Sequence, residues 1–191
     1  SATAECRQLV RRLAGCELID ERDGQPVVLL SRLPDTEAMV RRHYLEPAAT
    51  WSTVTPVVLP GHDDPRRLLD RLARQEEGRD SHPDSLSQKR ILNRLDRRID
   101  ALLRKAIPQA DFPADLARCA EIEYRPAGFL PGTDLACAYL PPEKIAQFRR
   151  LHVRITWRDT LGSSVPVRGP LCLGGGRYYG LGLFATMDDV V

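Results

Sequence analysis

The stretch from Leu151 to Arg158 alternates between apolar and polar side chains at every position, and this pattern constrains the fold more than any other. Because successive side chains of a β-strand point to opposite sides of the sheet, the alternation predicts a strand. Its apolar face carries Val153, Ile155 and Trp157. The opposite face is polar and cationic and consists of His152, Arg154, Thr156 and Arg158.

The order of the other predicted elements indicates an α+β domain. The run WSTVTPVVL predicts a strand over residues 51–59, and further strands are predicted at 119–124 and 181–185. An apolar stripe between Leu92 and Ala106 predicts a long helix that Pro108 ends, and Asp64-Pro65 predicts the start of an earlier helix. From residue 51 the order is strand, helices, strand, strand, glycine-rich segment, strand. This order matches the ferredoxin-like βαββαβ plan with an enlarged helical crossover.

The first fifty residues are interpreted as a small α/β lead-in. The spacing of Cys6, Leu9, Val10 and Leu13 predicts a helix. Two short strands and a second helix are predicted before Pro47. We therefore predict a lead-in lobe over residues 1–50 and a main domain over residues 51–191.

Several classes of protein are disfavoured by the composition. No apolar run approaches the roughly 18 residues of a membrane-spanning helix, and the N-terminal residues lack the regions of a signal peptide. The five cysteines show no C-x2-C zinc spacing. Because free cysteine is among the most buried residue types, we predict mostly buried, reduced thiols. We expect a cytoplasmic protein with no bound metal, no cofactor and no membrane partner.

The segment GPLCLGGGRYYGLGLF, residues 169–184, contains six glycines. Glycine allows backbone amides to approach a ligand closely, and successive amides form sites for anions. The lysine of a P-loop is missing, and too few residues follow Gly182 for a dinucleotide-binding unit. Two interpretations remain: a tight structural turn, or a loop that contacts nucleic-acid phosphates through Arg177 and stacks bases on Tyr178 and Tyr179.

The formal net charge of +2 conceals an uneven distribution. Between Lys144 and Gly182 the chain has seven basic residues and one acidic residue, whereas residues 63–100 are close to balance. A basic segment that contains the glycines favours an RNA partner. The candidate RNA-binding residues are Arg154, Arg158, Arg168, Gly174, Gly175, Gly176, Arg177, Tyr178, Tyr179, Gly180 and Gly182.

The run LHVRITW, followed by VPVRGPLCLGGGRYYGLGLF, resembles the end of RAMP-superfamily CRISPR-associated proteins. Within that superfamily it is similar to the C-terminal, repeat-processing half of the type I-U (I-G) effector fusion subunit, as is WSTVTPVVLPGHDDP. The resemblance covers residues 51–64 and 151–184. It implies that the chain is half of a longer fusion, with a ferredoxin-like fold. It also implies binding and metal-independent cleavage of CRISPR repeat RNA, and association with other subunits of a type I effector complex.

Metal-independent cleavage uses the 2′-hydroxyl of the RNA as nucleophile and needs proton transfers, which histidine performs near neutral pH. His62 follows the first strand of the plan, where repeat-processing RAMP nucleases often place a catalytic histidine; an exposed loop position is the alternative. His152 shares its strand face with Arg154 and Arg158, which would lower its pKa and favour a neutral base; a plain polar sheet position is the alternative. We predict His62 and His152 as catalytic residues, ahead of His43 and His82.

Two other functions stay open on the sequence alone. One is a non-catalytic module that binds RNA or supports assembly of the same effector. The other is a small-molecule enzyme that holds a phosphate group in the glycine-rich segment. A histidine close to that segment in space would favour the endoribonuclease.

Overall fold

A computed structural model describes residues 2–13, 15–19, 24–29, 38–59 and 85–187 of the chain. The chain divides into two compact units, Ser1–Met39 and Val40–Val191. The first unit contains helix α1 (Ala2–Leu13) and the antiparallel pair β1 (Glu17–Ile19) and β2 (Pro26–Leu29). The helix and both strands predicted for this segment are confirmed. The predicted domain boundary after residue 50 stays a prediction.

The second unit carries most of the secondary structure. Its elements, with the helix that leads into it, are α2 (Ala38–Tyr44), β3 (Thr50–Thr53), β4 (Val57–Val58), α3 (Ser85–Ala106), α4 (Ala114–Cys119), β5 (Glu121–Arg125), α5 (Glu143–Ala146), β6 (Arg150–Thr156) and β7 (Phe184–Thr186). The predicted α+β class is confirmed. The helix predicted to start at Asp64-Pro65 lies outside the described residues.

The strands form an antiparallel sheet in the order β5–β6–β3–β7. β3 and β4 pair with β6 one after the other, since Ser52 lies opposite Arg154 and Val57 opposite Leu151. The strand predicted over residues 51–59 is therefore present in two parts. Pro56 lies in the interruption, where it has no N–H to contribute to the ladder.

The core lies between one face of this sheet and α3. Leu95, Ile99 and Leu103 recur at helical spacing and are buried in one cluster with residues of the sheet. The sheet contributes the apolar face predicted for β6, together with Trp51 and Phe184. None of the helices in the described part of the chain is both long and apolar enough to cross a lipid bilayer.

The connection from β6 to β7, residues 157–183, is fully described and forms no α-helix. It contains a single 3₁₀ turn, Arg177–Tyr179, within the glycine-rich segment. Two isolated bridges, Arg158 with Ser164 and Cys172 with Leu183, join positions within the connection, and a third joins Val167 to Ala48, which precedes β3. The glycine-rich segment thus lies within an irregular connection that leads into β7.

The cysteines are less buried than predicted. Cys6, Cys16 and Cys137 are exposed, and Cys119 and Cys172 are partly buried. The expectation of mostly buried thiols is therefore wrong. It rested on the average burial of the residue type, which says nothing about the face of an element on which a given cysteine lies.

Candidate functional site

Three glycines fix the path of the glycine-rich segment against the sheet. Gly174 (φ +94°) lies so close to the carbonyl oxygen of Val58 that a Cβ atom would overlap it. At Gly182 (φ +76°) a Cβ atom would overlap the carbonyl oxygen of Leu173 even more closely. Gly176 packs against Leu181 and Val58. At these three positions glycine serves the fold, because no other side chain fits.

Hydrogen bonds fasten the same segment to β4 and to the interruption between β3 and β4. The hydroxyl of Thr55 donates to the carbonyl of Gly180 at 2.8 Å and accepts from the N–H of Leu183 at 3.1 Å. The N–H of Gly175 donates to the carbonyl of Val58 at 3.0 Å. The segment is therefore held on both sides of its 3₁₀ turn.

Between these attachments the 3₁₀ turn projects outward. Tyr178 is 82% exposed and Tyr179 is 57% exposed. Gly180 ends the turn at φ 74°. A Cβ atom at Gly175 or Gly180 would meet nothing within 4 Å, so these two glycines leave open space beside the tyrosines.

The guanidinium of Arg177 is held beside the Tyr178 ring. It donates to the hydroxyl of Tyr178 at 3.0 Å and to the carbonyl of Gln109, and its carbon lies 4.9 Å from the ring centroid. An open cleft of about 340 Å³ is lined by Gln109, Gly174, Gly175, Arg177 and Tyr178. Sequence reasoning missed Gln109, because only the tertiary structure brings the 3₁₀ turn after α3, Pro108–Ala110, to the glycine-rich segment.

The predicted cationic face of β6 is largely neutralised by β5. Arg154 donates to both carboxylate oxygens of Glu123, at 2.8 and 2.6 Å, and its carbon lies 4.9 Å from the Phe129 ring centroid. Arg158 forms an ion pair with Glu121 at 2.9 Å. This contact lowers the pKa of Glu121 and raises the pKa of Arg158. The alternation of Glu121 and Glu123 was visible in the sequence, but their pairing with β6 was not.

Arg168 lies apart from the cleft. Its neighbour Val167 pairs with Ala48, which precedes β3, whereas Gly174 packs against Val58 in β4. Because β3 and β4 pair one after the other along β6, these two contacts lie near opposite ends of β6. The structure therefore brings Arg177 and the two tyrosines together but does not bring Arg168 to them.

His152 is fully buried on the face of the sheet that the sequence assigned to it. Its Nδ1 lies 3.0 Å from the Thr53 hydroxyl, and its Nε2 lies 2.9 Å from the carbonyl oxygen of Asp134. Tyr139 covers the ring edge-on, with centroids 5.9 Å apart. Burial is the main cause that lowers the pKa of His152, and the charge of Arg125 adds to it. The direction is as predicted, although burial is the leading cause.

Of the other three histidines, only His43 is among the described residues. His62 and His82 lie outside the described residues. His43 is in α2, is partly buried and has an interaction of its own. Among the described residues there is no group of three or more His, Cys, Asp or Glu side chains that could hold a metal ion.

The described part of the second unit is thus an antiparallel α+β domain with a cleft that combines the Arg177 guanidinium, the Tyr178 ring and glycine backbone. The chain belongs to the GSU0054 family of CRISPR-associated proteins, whose family model matches residues 4–186. The resemblance to a CRISPR-associated protein is thereby confirmed. Comparisons with curated proteins and with solved structures gave no match.

Proposed function

We propose that this CRISPR-associated chain binds CRISPR RNA in the cleft beside Arg177, Tyr178 and Tyr179. The observation that carries the proposal is two neighbouring tyrosine rings, 82% and 57% exposed, the first of which lies against the Arg177 guanidinium. Exposed aromatic rings stack nucleobases, and arginine contacts phosphate through its planar fork. Membership of a CRISPR-associated family supports an RNA-related role.

The sheet supports the RAMP interpretation of the fold. Among β3, β5, β6 and β7, taken as first to fourth in the chain, the spatial order is fourth, first, third, second, with antiparallel neighbours. A ferredoxin-like domain has this order. The departure from it is the second crossover, where the glycine-rich segment replaces the helix.

The proposal is tested by measuring the binding of labelled repeat RNA to the full chain. Stacking on one aromatic ring contributes about 1–3 kcal/mol, so Tyr178→Ala and Tyr179→Ala are each expected to weaken binding about 5- to 150-fold. Tyr178→Phe is the matched control, since it keeps the ring and loses only the hydroxyl. Unchanged affinity in both alanine variants would contradict the proposal.

A second candidate function is metal-independent cleavage of the repeat RNA. The glycine-rich segment contacts Val58, and His62 follows Val58 by four residues in the chain. Both ring nitrogens of His152 have hydrogen-bond partners, so we assign proton transfer to His62 and a positioning role to His152. Such an endoribonuclease would leave a 2′,3′-cyclic phosphate and stay bound to its product within a type I effector complex.

Cleavage is tested by incubating the chain with end-labelled repeat RNA in EDTA. We expect a product that ends in a cyclic phosphate, loss of that product in His62→Ala, and unchanged RNA affinity in the same variant. Binding without cleavage by the wild-type chain would favour the non-catalytic module and overturn the nuclease.

A further inference from the structure

The exposed face of α3 carries a row of cations. At about 100° per residue, Arg94, Arg97 and Lys105 fall within a sector of about 80°, on the side of the helix away from its buried leucines. All three side chains are exposed, and none forms an ion pair with another described residue. We call these three residues the α3 ridge. Arg98 lies on the same side but has an interaction of its own, so it is not included.

The two acidic residues in the described side chains of α3 do not neutralise the ridge. Asp96 accepts a hydrogen bond from the hydroxyl of Tyr124 at 2.7 Å, on the flank that faces β5. Asp100 pairs with Arg104 at 2.7 Å, one turn along the same flank. Both acidic side chains are therefore engaged on the β5 flank by other partners, and the cations of the ridge stay exposed.

The ridge leads to the cleft. Lys105 is its last residue and precedes by four positions Gln109, which lines the cleft and accepts a hydrogen bond from Arg177. From Arg94 to Lys105 the helix rises by about 16 Å. A stacked strand with about 3.4 Å per nucleotide would place roughly five phosphates along this length.

We propose that the α3 ridge is a second RNA-binding surface, which contacts the phosphates of a strand that leaves the cleft at Gln109. The proposal rests on the proposed function of the cleft. Exposed arginine and lysine side chains neutralise phosphates without reading bases, so this contact is independent of RNA sequence. An acidic protein surface would also complement the ridge, but its continuity with Gln109 and Arg177 favours RNA.

The test measures RNA binding by the full chain over a series of KCl concentrations, using fluorescently labelled single-stranded repeat RNA. The ridge variant is Arg94→Ala, Arg97→Ala, Lys105→Ala. The control variant, Arg11→Ala, Arg12→Ala, Arg41→Ala, removes the same charge from exposed positions of α1 and α2. Each phosphate contact contributes about 0.7 to the logarithmic salt slope, so the ridge variant should lower the slope by about 2. The ridge variant should also weaken RNA binding about tenfold at moderate salt. The control variant should change neither the salt slope nor the affinity.

The possible outcomes separate the two proposals. Equal slopes in the ridge and control variants, with binding still weakened by Tyr178→Ala, would overturn the ridge and leave the cleft. No RNA binding by the wild-type chain would overturn both. Thermal unfolding verifies that the variants fold, and glutamine at the same three positions provides a second variant with the same loss of charge.

Discussion

The Nδ1 atom of His152 and the hydroxyl of Thr53 are joined by a hydrogen bond whose direction is set by their neighbours. The carbonyl of Asp134 can only accept, so the proton of the neutral ring is on Nε2, and Nδ1 accepts from the Thr53 hydroxyl at 3.0 Å. The Thr53 oxygen in turn accepts from the N–H of Val153 at 2.9 Å. The Nε2–H group donates its hydrogen bond to the carbonyl of Asp134 at 2.9 Å. This arrangement ties β3, β6 and the loop that contains Asp134 together through one neutral histidine.

The stability of the chain should depend on pH through this histidine. Burial lowers the pKa of folded His152 below the ordinary value of 6.5, so below that pH the unfolded chain binds a proton that the folded chain does not. The contribution of His152 to the free energy of unfolding is complete above pH 6.5. As the pH falls from 6.5 to the folded pKa, this contribution is lost by at most about 1.4 kcal/mol per pH unit. Urea unfolding of wild type and His152→Gln at pH 7.5 and 5.5 measures it. A wild-type advantage that is equal at both pH values would contradict the assignment.

The glycines of the segment should differ in their tolerance of alanine. Gly182→Ala places a Cβ against the Leu173 carbonyl at a positive φ, and we expect a loss above about 3 kcal/mol or failure to fold. Gly180→Ala suffers only the positive φ and should cost about 1–2 kcal/mol. Gly175→Ala meets neither obstacle and should be nearly neutral. Thermal unfolding of the three variants gives the order, and equal losses would contradict it.

Arg104 should stabilise the end of α4. Its guanidinium donates to the carbonyls of Ala117, Arg118 and Ala120, at 2.6, 3.1 and 3.1 Å, besides its bond to Asp100. Charge-assisted hydrogen bonds of this kind are strong, and we expect Arg104→Ala to lower the free energy of unfolding by about 1–3 kcal/mol.

Arg118→Ala is the control for that measurement, because its pair with Asp115 is 75% exposed on both sides. Exposed pairs of this kind contribute about 0–1 kcal/mol. Denaturant unfolding of both variants compares them. A larger loss for Arg118→Ala than for Arg104→Ala would show that the carbonyl contacts do not stabilise the helix end.

The arginines of β6 should matter less for RNA than Arg177. The double variant Arg154→Gln, Glu123→Gln removes a complete ion pair and leaves the net charge unchanged, so we expect its RNA affinity to stay close to that of wild type. Arg177→Gln removes a cation that lines the cleft, and a loss on the order of tenfold is expected. Titration with repeat RNA compares them, and the reverse order would place the RNA on the β5–β6 face.

The elements whose side chains follow a periodic sequence pattern were predictable. The alternation around Ile155 and the helical stripe around Ile99 each reflect one buried face, and both elements are present as predicted. The interruption near Pro56 was not predicted, because the whole run WSTVTPVVL is rich in strand-forming residues.

The candidate site was predictable only in its local part. Arg177 and the two tyrosines are neighbours in the sequence, and they form one exposed group in the structure. The burial of His152 depends on the loop that carries Asp134 and Tyr139, which has no periodic pattern. The neutralisation of Arg154 depends on strand register, which a single sequence does not specify.

The attachment of the glycine-rich segment at Val58, Leu173 and Thr55 has a consequence for the thermodynamics of association. A loop that orders only on binding loses backbone entropy at about 1–2 kcal/mol per residue. Here the backbone around Arg177 is already fixed by contacts within the protein, so little of that loss remains to be incurred on binding. For the proposed RNA complex, association should accordingly be rapid and free of a slow rearrangement step, and its lifetime should be set by how quickly the bases leave the tyrosine rings.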